Sequence, residues 1–400
     1  MKISKSARKA ILLGLMCALS YLAVYFARNL LSAVTPQMLA DGYSDKFMGT
    51  LSSLYFITYA VGQLINGVLG DKIGAKYMIG TGLFFAGLAH FLFVFFKSSL
   101  TLSLIVYAMT GFFLAMIYGP MIKLVAENTE PIYATRCGLG YTFSSFLGSP
   151  LAGITAAFLA WQGVFFVGGG LLMLMAVVSF LVFWSFERRG LITAGRFSRR
   201  EEESQGILAG IFILIRRRIL KFSLISILTG VIRTSVIFWF PTYLTQHLGF
   251  SEQNASLVFS VSTFAICFTA FIAIFLYERL GRQMDKTIML LFICACVFFL
   301  GVYFINIPAA NVVLLTAGIM SSNGAASILW NAYCPSLRDT GMVSKATGFL
   351  DFLSYAGAAI ANLLFADAIS SIGWSNLILV WLGLMVGGLL VSLPWQRRKT

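Results

Sequence analysis

The sequence predicts an all-α membrane protein with twelve transmembrane helices in two pseudo-symmetric six-helix halves. Three observations carry that expectation: an apolar composition, a one-sided distribution of basic residues, and a second half that repeats the first. Hydrophobic residues make up 59% of the 400-residue chain and charged residues only 11%. Mean hydropathy is +0.87. A soluble domain carries about 25% charged residues. A chain of this length holds about twelve spans of roughly 20 residues with short connections.

Candidate spans run over residues 11–36, 46–70, 77–97, 99–125, 135–160, 162–186, 219–246, 252–278, 286–306, 309–333, 343–370 and 373–395. The first follows a basic start, Lys2 and Lys5, as a secretory leader would, but it is too long and lacks a convincing small-x-small cleavage site. We read it as a retained span. Gly119-Pro120 in the fourth and Gly148-Ser149-Pro150 in the fifth mark breaks or close helix packing. The most polar interruption runs from Glu187 to Arg218 and holds Glu201-Glu202-Glu203 and Arg216-Arg217-Arg218. The expected division is therefore a half over 1–186, a linker over 187–218 and a half over 219–400.

The formal charge of +14 invites a nucleic-acid reading, which the placement of the charges excludes. Of the 29 lysines and arginines, only Lys46 and Lys97 lie at one alternating set of connections, and only Arg28 and Arg233 lie deep inside spans, away from their ends. The rest share the other side. That is the positive-inside pattern, and it puts both termini in the cytoplasm with an even number of spans. A multi-pass protein of the cell membrane follows. No aromatic-basic module of an RNA binder is present.

The repeat is legible in spacing. Arg28 precedes Pro36 by eight residues and Arg233 precedes Pro241 by eight. Ser44 to Asp71 and Ser251 to Glu278 are both 27 residues. Asp71-Lys72-Ile73-Gly74 closes the second span as Glu278-Arg279-Leu280-Gly281 closes the eighth. Internal repeats are usual in secondary transporters, whose substrate site lies near the midplane at the repeat interface.

Arg28 and Arg233 are the informative residues. An arginine at membrane depth costs about 2.5–3.5 kcal/mol on insertion scales, so it must face protein or water and find a partner. Each repeat holds one, and neither has an acid within helical reach on its own segment. A guanidinium grips phosphate or carboxylate through two parallel hydrogen bonds, which makes the pair a candidate site for a small-molecule anion. The alternative is structural, with each arginine held by an acid such as Asp351 or by helix-end carbonyls. Tyr21 and Tyr25 share a helix face with Arg28 and offer phenol hydroxyls. The six cysteines read as small buried side chains, with no disulfide and no metal site. His90 and His247 lack any catalytic or metal constellation. No cofactor is implied, and no nucleophile–base pair suggests an enzyme.

Gly67-x-x-x-Asp71-Lys72-x-Gly74-x-Lys76 matches the loop signature of the major facilitator superfamily. More closely, Tyr25-Phe26-Ala27-Arg28-Asn29 through Pro36 resembles helix one of the organophosphate:phosphate antiporters, the glycerol-3-phosphate and hexose-6-phosphate exchangers. Arg233 with Phe240-Pro241-Thr242-Tyr243-Leu244 resembles their helix seven. Gly348-Phe349, Tyr355-x-Gly357 and Trp374 resemble helices eleven and twelve. The resemblance implies alternating access, paired arginines at Arg28 and Arg233 that hold phosphate, and cavity residues Tyr21, Tyr25, Tyr59 and Tyr355. It also implies departures. Gln63 stands where the glycerol-3-phosphate type has lysine, Ser145 where it has histidine, Thr263 where it has glutamate and Gly230 where it has tyrosine.

Asp351 stands where the family has glycine. It is a proton or cation site, a switchable partner for an arginine, or a cytoplasmic-end salt-bridge partner of Lys123 or Lys345. Asp71, Lys72, Glu278 and Arg279 are expected to act in gating as charged latches. The expected activity is exchange of an organophosphate or sugar phosphate for phosphate by a monomer in the lipid bilayer. Two alternatives stand beside it: a carboxylate or sugar-acid symporter coupled through Asp351, and a membrane sensor of a phosphorylated sugar without net transport.

Overall fold

The structure is a computed structural model and describes residues 5–192, 214–337 and 343–393. The acidic run and most of the expected linker, and the basic tail, lie outside the described residues. Among the described residues every regular element is helical. The helices form twelve long runs: α1 Lys5–Ala40, α2 Asp45–Ile73, α3 Ala75–Phe95, α4 Leu100–Asn128, α5 Pro131–Phe158, α6 Trp161–Arg188, α7 Ile219–Gln246, α8 Glu252–Arg279, α9 Met284–Phe304, α10 Pro308–Ser336, α11 Val343–Ser371 and α12 Gly373–Ser392. Ten of them are long and apolar enough to cross a membrane. The other two, α2 and α5, have 29 and 28 residues. Large apolar side chains such as Phe95, Phe304, Val261 and Val313 stand outward, each at least 67% exposed. In water such a surface would aggregate, whereas in a bilayer it faces acyl chains.

The turns carry the repeat into the backbone. α1 closes with Gly42 at φ +97 and α8 with Gly281 at φ +66. In both, two hydrogen bonds reach back over the last turn. Gly42 N donates to Leu39 O and Tyr43 N to Met38 O (3.0 and 3.1 Å), while Gly281 N donates to Glu278 O and Arg282 N to Tyr277 O (3.1 and 2.8 Å). This double reach-back needs a left-handed residue, which glycine supplies without strain. Gly74 at φ +90 and Gly249 at φ +72 occupy the counterpart turns of the other half.

The chain divides into two compact units. Unit 1 is Met1–Tyr43, Thr50–Arg200 and Ser251–Phe264, and unit 2 is Ser44–Gly49, Glu201–Phe250 and Ala265–Thr400. Within unit 1, α1 and α5 touch backbone to backbone: a Cβ on Gly148 would lie 2.5 Å from the Tyr25 carbonyl carbon. α3 and α6 do the same through Gly87 and Gly169, each lying against the other's carbonyl oxygen. Within unit 2, α7 and α11 lock through small residues. A Cβ on Gly230 would meet Ser354 O at 2.8 Å. Ser226 Oγ donates to Leu350 O and Ser235 Oγ to Ala358 O, at 2.8 and 3.0 Å. In lipid, helices associate by such packing and interhelical hydrogen bonds rather than by excluding water.

Four runs are not continuous α-helix. α4 opens into turns at 115–117, and α8 at 267–268. α7 and α10 contain π-helical turns at Ile232–Val236 and Leu329–Tyr333. Proline explains the break in α4, because Pro120 has no N–H for the carbonyl of Met116. In α10, Pro335 likewise leaves the carbonyl of Asn331, inside the π-turn, without its α-helical donor. Pro150 sits inside a helix that runs unbroken from Pro131 to Phe158. Of the two glycine-proline motifs, then, the first marks a break and the second a close contact.

Two glycines test this packing by the same chemical change. Gly148→Ala drives a methyl into the α1 backbone and costs about 1–3 kcal/mol. Nothing lies within 4 Å of a Cβ at Gly170. Gly170→Ala is therefore neutral, or stabilises by up to about 1 kcal/mol through helix entropy. Thermal unfolding of the purified variants should fall for Gly148→Ala and hold or rise for Gly170→Ala.

Candidate functional site

In unit 1, α1 presents Tyr21, Tyr25 and Arg28 on one face, as the spacing predicts. The Tyr21 and Tyr25 rings meet edge-on at 4.9 Å. The Arg28 guanidinium stands 5.1 Å from the Tyr25 ring, and α2 supplies two more rings, Phe56 at 5.1 Å and Tyr59 at 5.3 Å. Three π faces thus surround one cation, each contributing about 0.5–2 kcal/mol and offsetting part of its desolvation. Tyr55 stacks beside Tyr59 at 6.1 Å, and Tyr118 stacks on Tyr21 at 5.1 Å. The Tyr55 hydroxyl is buried with no hydrogen-bond partner in the structure.

Arg28 itself is half-buried, as are Gln63 on α2 and Ser145 on α5. Gln63 lies one turn beyond Tyr59. Ser145 lies one turn before Gly148, the glycine that brings α5 against Tyr25.

In unit 2, Arg233 sits inside the π-turn of α7. Its guanidinium lies 5.9 Å from the ring of Tyr355 on α11. The contact exists because Gly230 and Gly357 let α7 and α11 approach; a Cβ on Gly357 would meet Ile227 at 2.9 Å. Asp351 is half-buried one turn before Tyr355. Of the two partners expected for Asp351, the side chain of Lys345 lies outside the described residues, and Lys123 belongs to unit 1.

The remaining predicted residues lie at helix ends. The side chains of Asp71 and Lys72 lie outside the described residues. Glu278 and Arg279 are exposed on the last turn of α8, with the Arg279 guanidinium 5.2 Å from the Phe275 ring. Lys76, the last residue of the loop signature, pairs with Glu187 and so ties the start of α3 to the end of α6. Among the described residues no group of three or more His, Cys, Asp or Glu side chains is placed to hold a metal.

Sequence reasoning passed over Tyr55, Phe56 and Tyr118. Tyr55, Phe56 and Tyr59 stand at helical spacing, a visible signal. A single sequence does not say which face of α2 meets α1. The π-turn under Arg233 left no sequence sign beyond the downstream Pro241.

A model of the Major Facilitator Superfamily matches residues 17–362. The chain belongs to that superfamily. Superfamily members are transporters rather than enzymes, and the chain is accordingly a multi-pass membrane protein. It is 21% identical to a glycerol-3-phosphate transporter of Bacillus subtilis (strain 168), with 95% of this chain and 91% of that one covered. It is 23% identical to the membrane sensor protein UhpC of Escherichia coli (strain K12), covering 96% and 91% of the two chains. Among solved structures, a mutant of the nucleoside transporter NupG superposes with a TM-score of 0.73 over 95% of this chain and 98% of the other, at 15% identity. That likeness shows the superfamily fold alone.

The cage around Arg28 has a direct test. A double-mutant cycle of Arg28→Met with Phe56→Leu isolates the pairwise term. The expected coupling is about 0.5–2 kcal/mol, favourable in the parent. Additive losses in thermal or denaturant unfolding would remove Phe56 from the cage.

Proposed function

We propose that this superfamily member exchanges an organophosphate or sugar phosphate for phosphate across the cell membrane. It works by alternating access of the halves 1–186 and 219–400, joined by 187–218. Both termini are cytoplasmic and the working unit is a monomer. Arg28 and Arg233 bind the anion. Tyr21, Tyr25, Tyr59, Gln63, Ser145 and Tyr355 shape its pocket. Asp71, Lys72, Glu278, Arg279 and Asp351 act in gating or coupling.

One observation carries the reading: each repeat sets one permanent cation at membrane depth beside tyrosines. Charge matching then selects the ligand. Two guanidiniums match the charge of a phosphate monoester dianion, and each can grip it through parallel hydrogen bonds. A bound dianion also removes the desolvation penalty that opposes rocking of the halves, which favours exchange over net uniport. The named glycerol-3-phosphate transporter among the relatives supports the same class.

The departures point away from glycerol-3-phosphate itself. Where the resemblance has tyrosine, Gly230 meets the backbone of α11, and a large side chain there would force α7 and α11 apart. The specific observation behind a second reading is the similarity to a named membrane sensor. In that reading the same anion is bound without flux.

A thermal-shift screen of the purified protein against phosphate, glycerol 3-phosphate, hexose phosphates, phosphonates and sugar acids tests the ligand class. A phosphorylated ligand should stabilise the parent. Arg28→Lys and Arg233→Lys should each lower its affinity by about tenfold or more, because a point charge replaces a fork whose charge-assisted bond is worth about 1.5 kcal/mol or more. Stabilisation by sugar acids alone would move the assignment to a carboxylate symporter. Counterflow of labelled phosphate in proteoliposomes should be accelerated by the stabilising ligand on the opposite side; binding without flux would make the protein a sensor.

A further inference from the structure

Unit 2 contains a second basic site, remote in sequence from the spans' interior. The start of α7, the start of α9 and the end of α10 enclose a cavity of about 510 Å³. Its lining includes four basic side chains, Arg216, Arg217, Arg218 and Lys286, against one acid, Asp285. That acid is already shared: Arg218 Nη1 reaches Asp285 Oδ2 at 2.8 Å and Lys221 Nζ reaches Oδ1 at 3.1 Å. The lining itself thus carries more basic than acidic side chains.

The floor is aromatic. Phe222 and Tyr333 stack face to face at 3.6 Å. The Tyr333 hydroxyl donates to Arg217 O at 3.0 Å and fixes the arginine run to α10. Tyr333 closes the π-turn of α10, so the irregular backbone there is what brings the ring to Phe222. Arg218 caps α7 in the left-handed region, φ 66 and ψ 28, which turns the chain sharply at the cavity. The positive ends of α7 and α9 meet here with the negative end of α10.

We propose that this cavity is a binding site for the phosphate group of an anionic phospholipid from the leaflet at this end of the bundle. A cavity that is basic at the rim and aromatic at the floor suits a headgroup phosphodiester above its glycerol. Basic pockets between spans at the membrane surface hold anionic headgroups by the same physics. A free phosphate would use the rim but gain nothing from Phe222 and Tyr333. The inference rests on the membrane placement alone, and not on the organophosphate reading.

The test is native mass spectrometry of the full-length protein, offered phosphatidylglycerol or phosphatidylcholine of identical acyl chains. Phosphatidylglycerol should be retained with a preference of about tenfold or more. Arg216→Gln combined with Lys286→Gln should abolish that preference, while Arg28→Lys leaves it intact and so separates this site from the transport reading. Equal retention of the two lipids, or a preference that survives the double variant, overturns the proposal. So does full displacement of phosphatidylglycerol by an equal concentration of inorganic phosphate, which would reassign the site to a soluble ligand. Should the double variant not fold, a photoactivatable phosphatidylglycerol on the unmodified chain decides. Labelling of the segments carrying Phe222 and Tyr333 supports the site, and labelling confined elsewhere removes it.

Discussion

A hydrocarbon interior offers the backbone no partner but itself, and the architecture follows from that constraint. It explains why each span is a long helical run and why the helices meet through glycine and serine. Backbone contacts such as Gly148 on Tyr25 and Gly230 on Ser354 replace the water-driven association available to a soluble bundle. It also gives meaning to the four runs that leave α-helical geometry. Each break frees backbone groups that must then be met by protein or water, so breaks are kept where another demand outweighs the ladder. In α7 that demand falls on the turn holding Arg233. In α10 it falls on the turn ending at Tyr333.

The same solvent makes charge expensive, and the two intramembrane arginines meet that expense differently. Arg28 is set among three rings on an unbroken α1. Arg233 has the ring of Tyr355 and stands on a π-turn. Ring faces stabilise a cation without neutralising it.

The fold was legible in the sequence because its signals are long-range and redundant: composition, sidedness of lysine and arginine, and a repeat offset that reappears in the glycine turns at Gly42, Gly74, Gly249 and Gly281. The candidate site was legible only where a residue is abnormal for its surroundings. Arg28 and Arg233 stand out because charge does not belong in a span. Tyr25 could be placed beside Arg28 because both lie on one helix. Phe56 and Tyr55 are ordinary residues for a membrane helix, and their role depends on which face of α2 meets α1. The π-turns arise from competition between ladder geometry, downstream proline and interhelical packing, and no local pattern fixes its outcome.

The repeat has consequently diverged in the place where symmetry would matter most. Arg28 and Arg233 correspond in the sequence, each eight residues before a proline. The inserted turn in α7 nevertheless shifts the helical register on its two sides by about one residue, roughly 100° around the axis. In the proposed exchange the anion would therefore meet two inequivalent cations, one among three aromatic rings and one on a π-helical turn. Such a division suits a cycle in which one half holds the anion and the other changes its grip. A π-turn can migrate or resolve into α-helix by exchanging single hydrogen bonds, whereas the cage around Arg28 would have to unpack three side chains at once. In the proposed cycle the changing grip would then fall to Arg233. The glycines that seat α7 against α11 bring that turn against the other helix, where Ser235 Oγ donates to Ala358 O at 3.0 Å, so any change of grip has to exchange this bond as well.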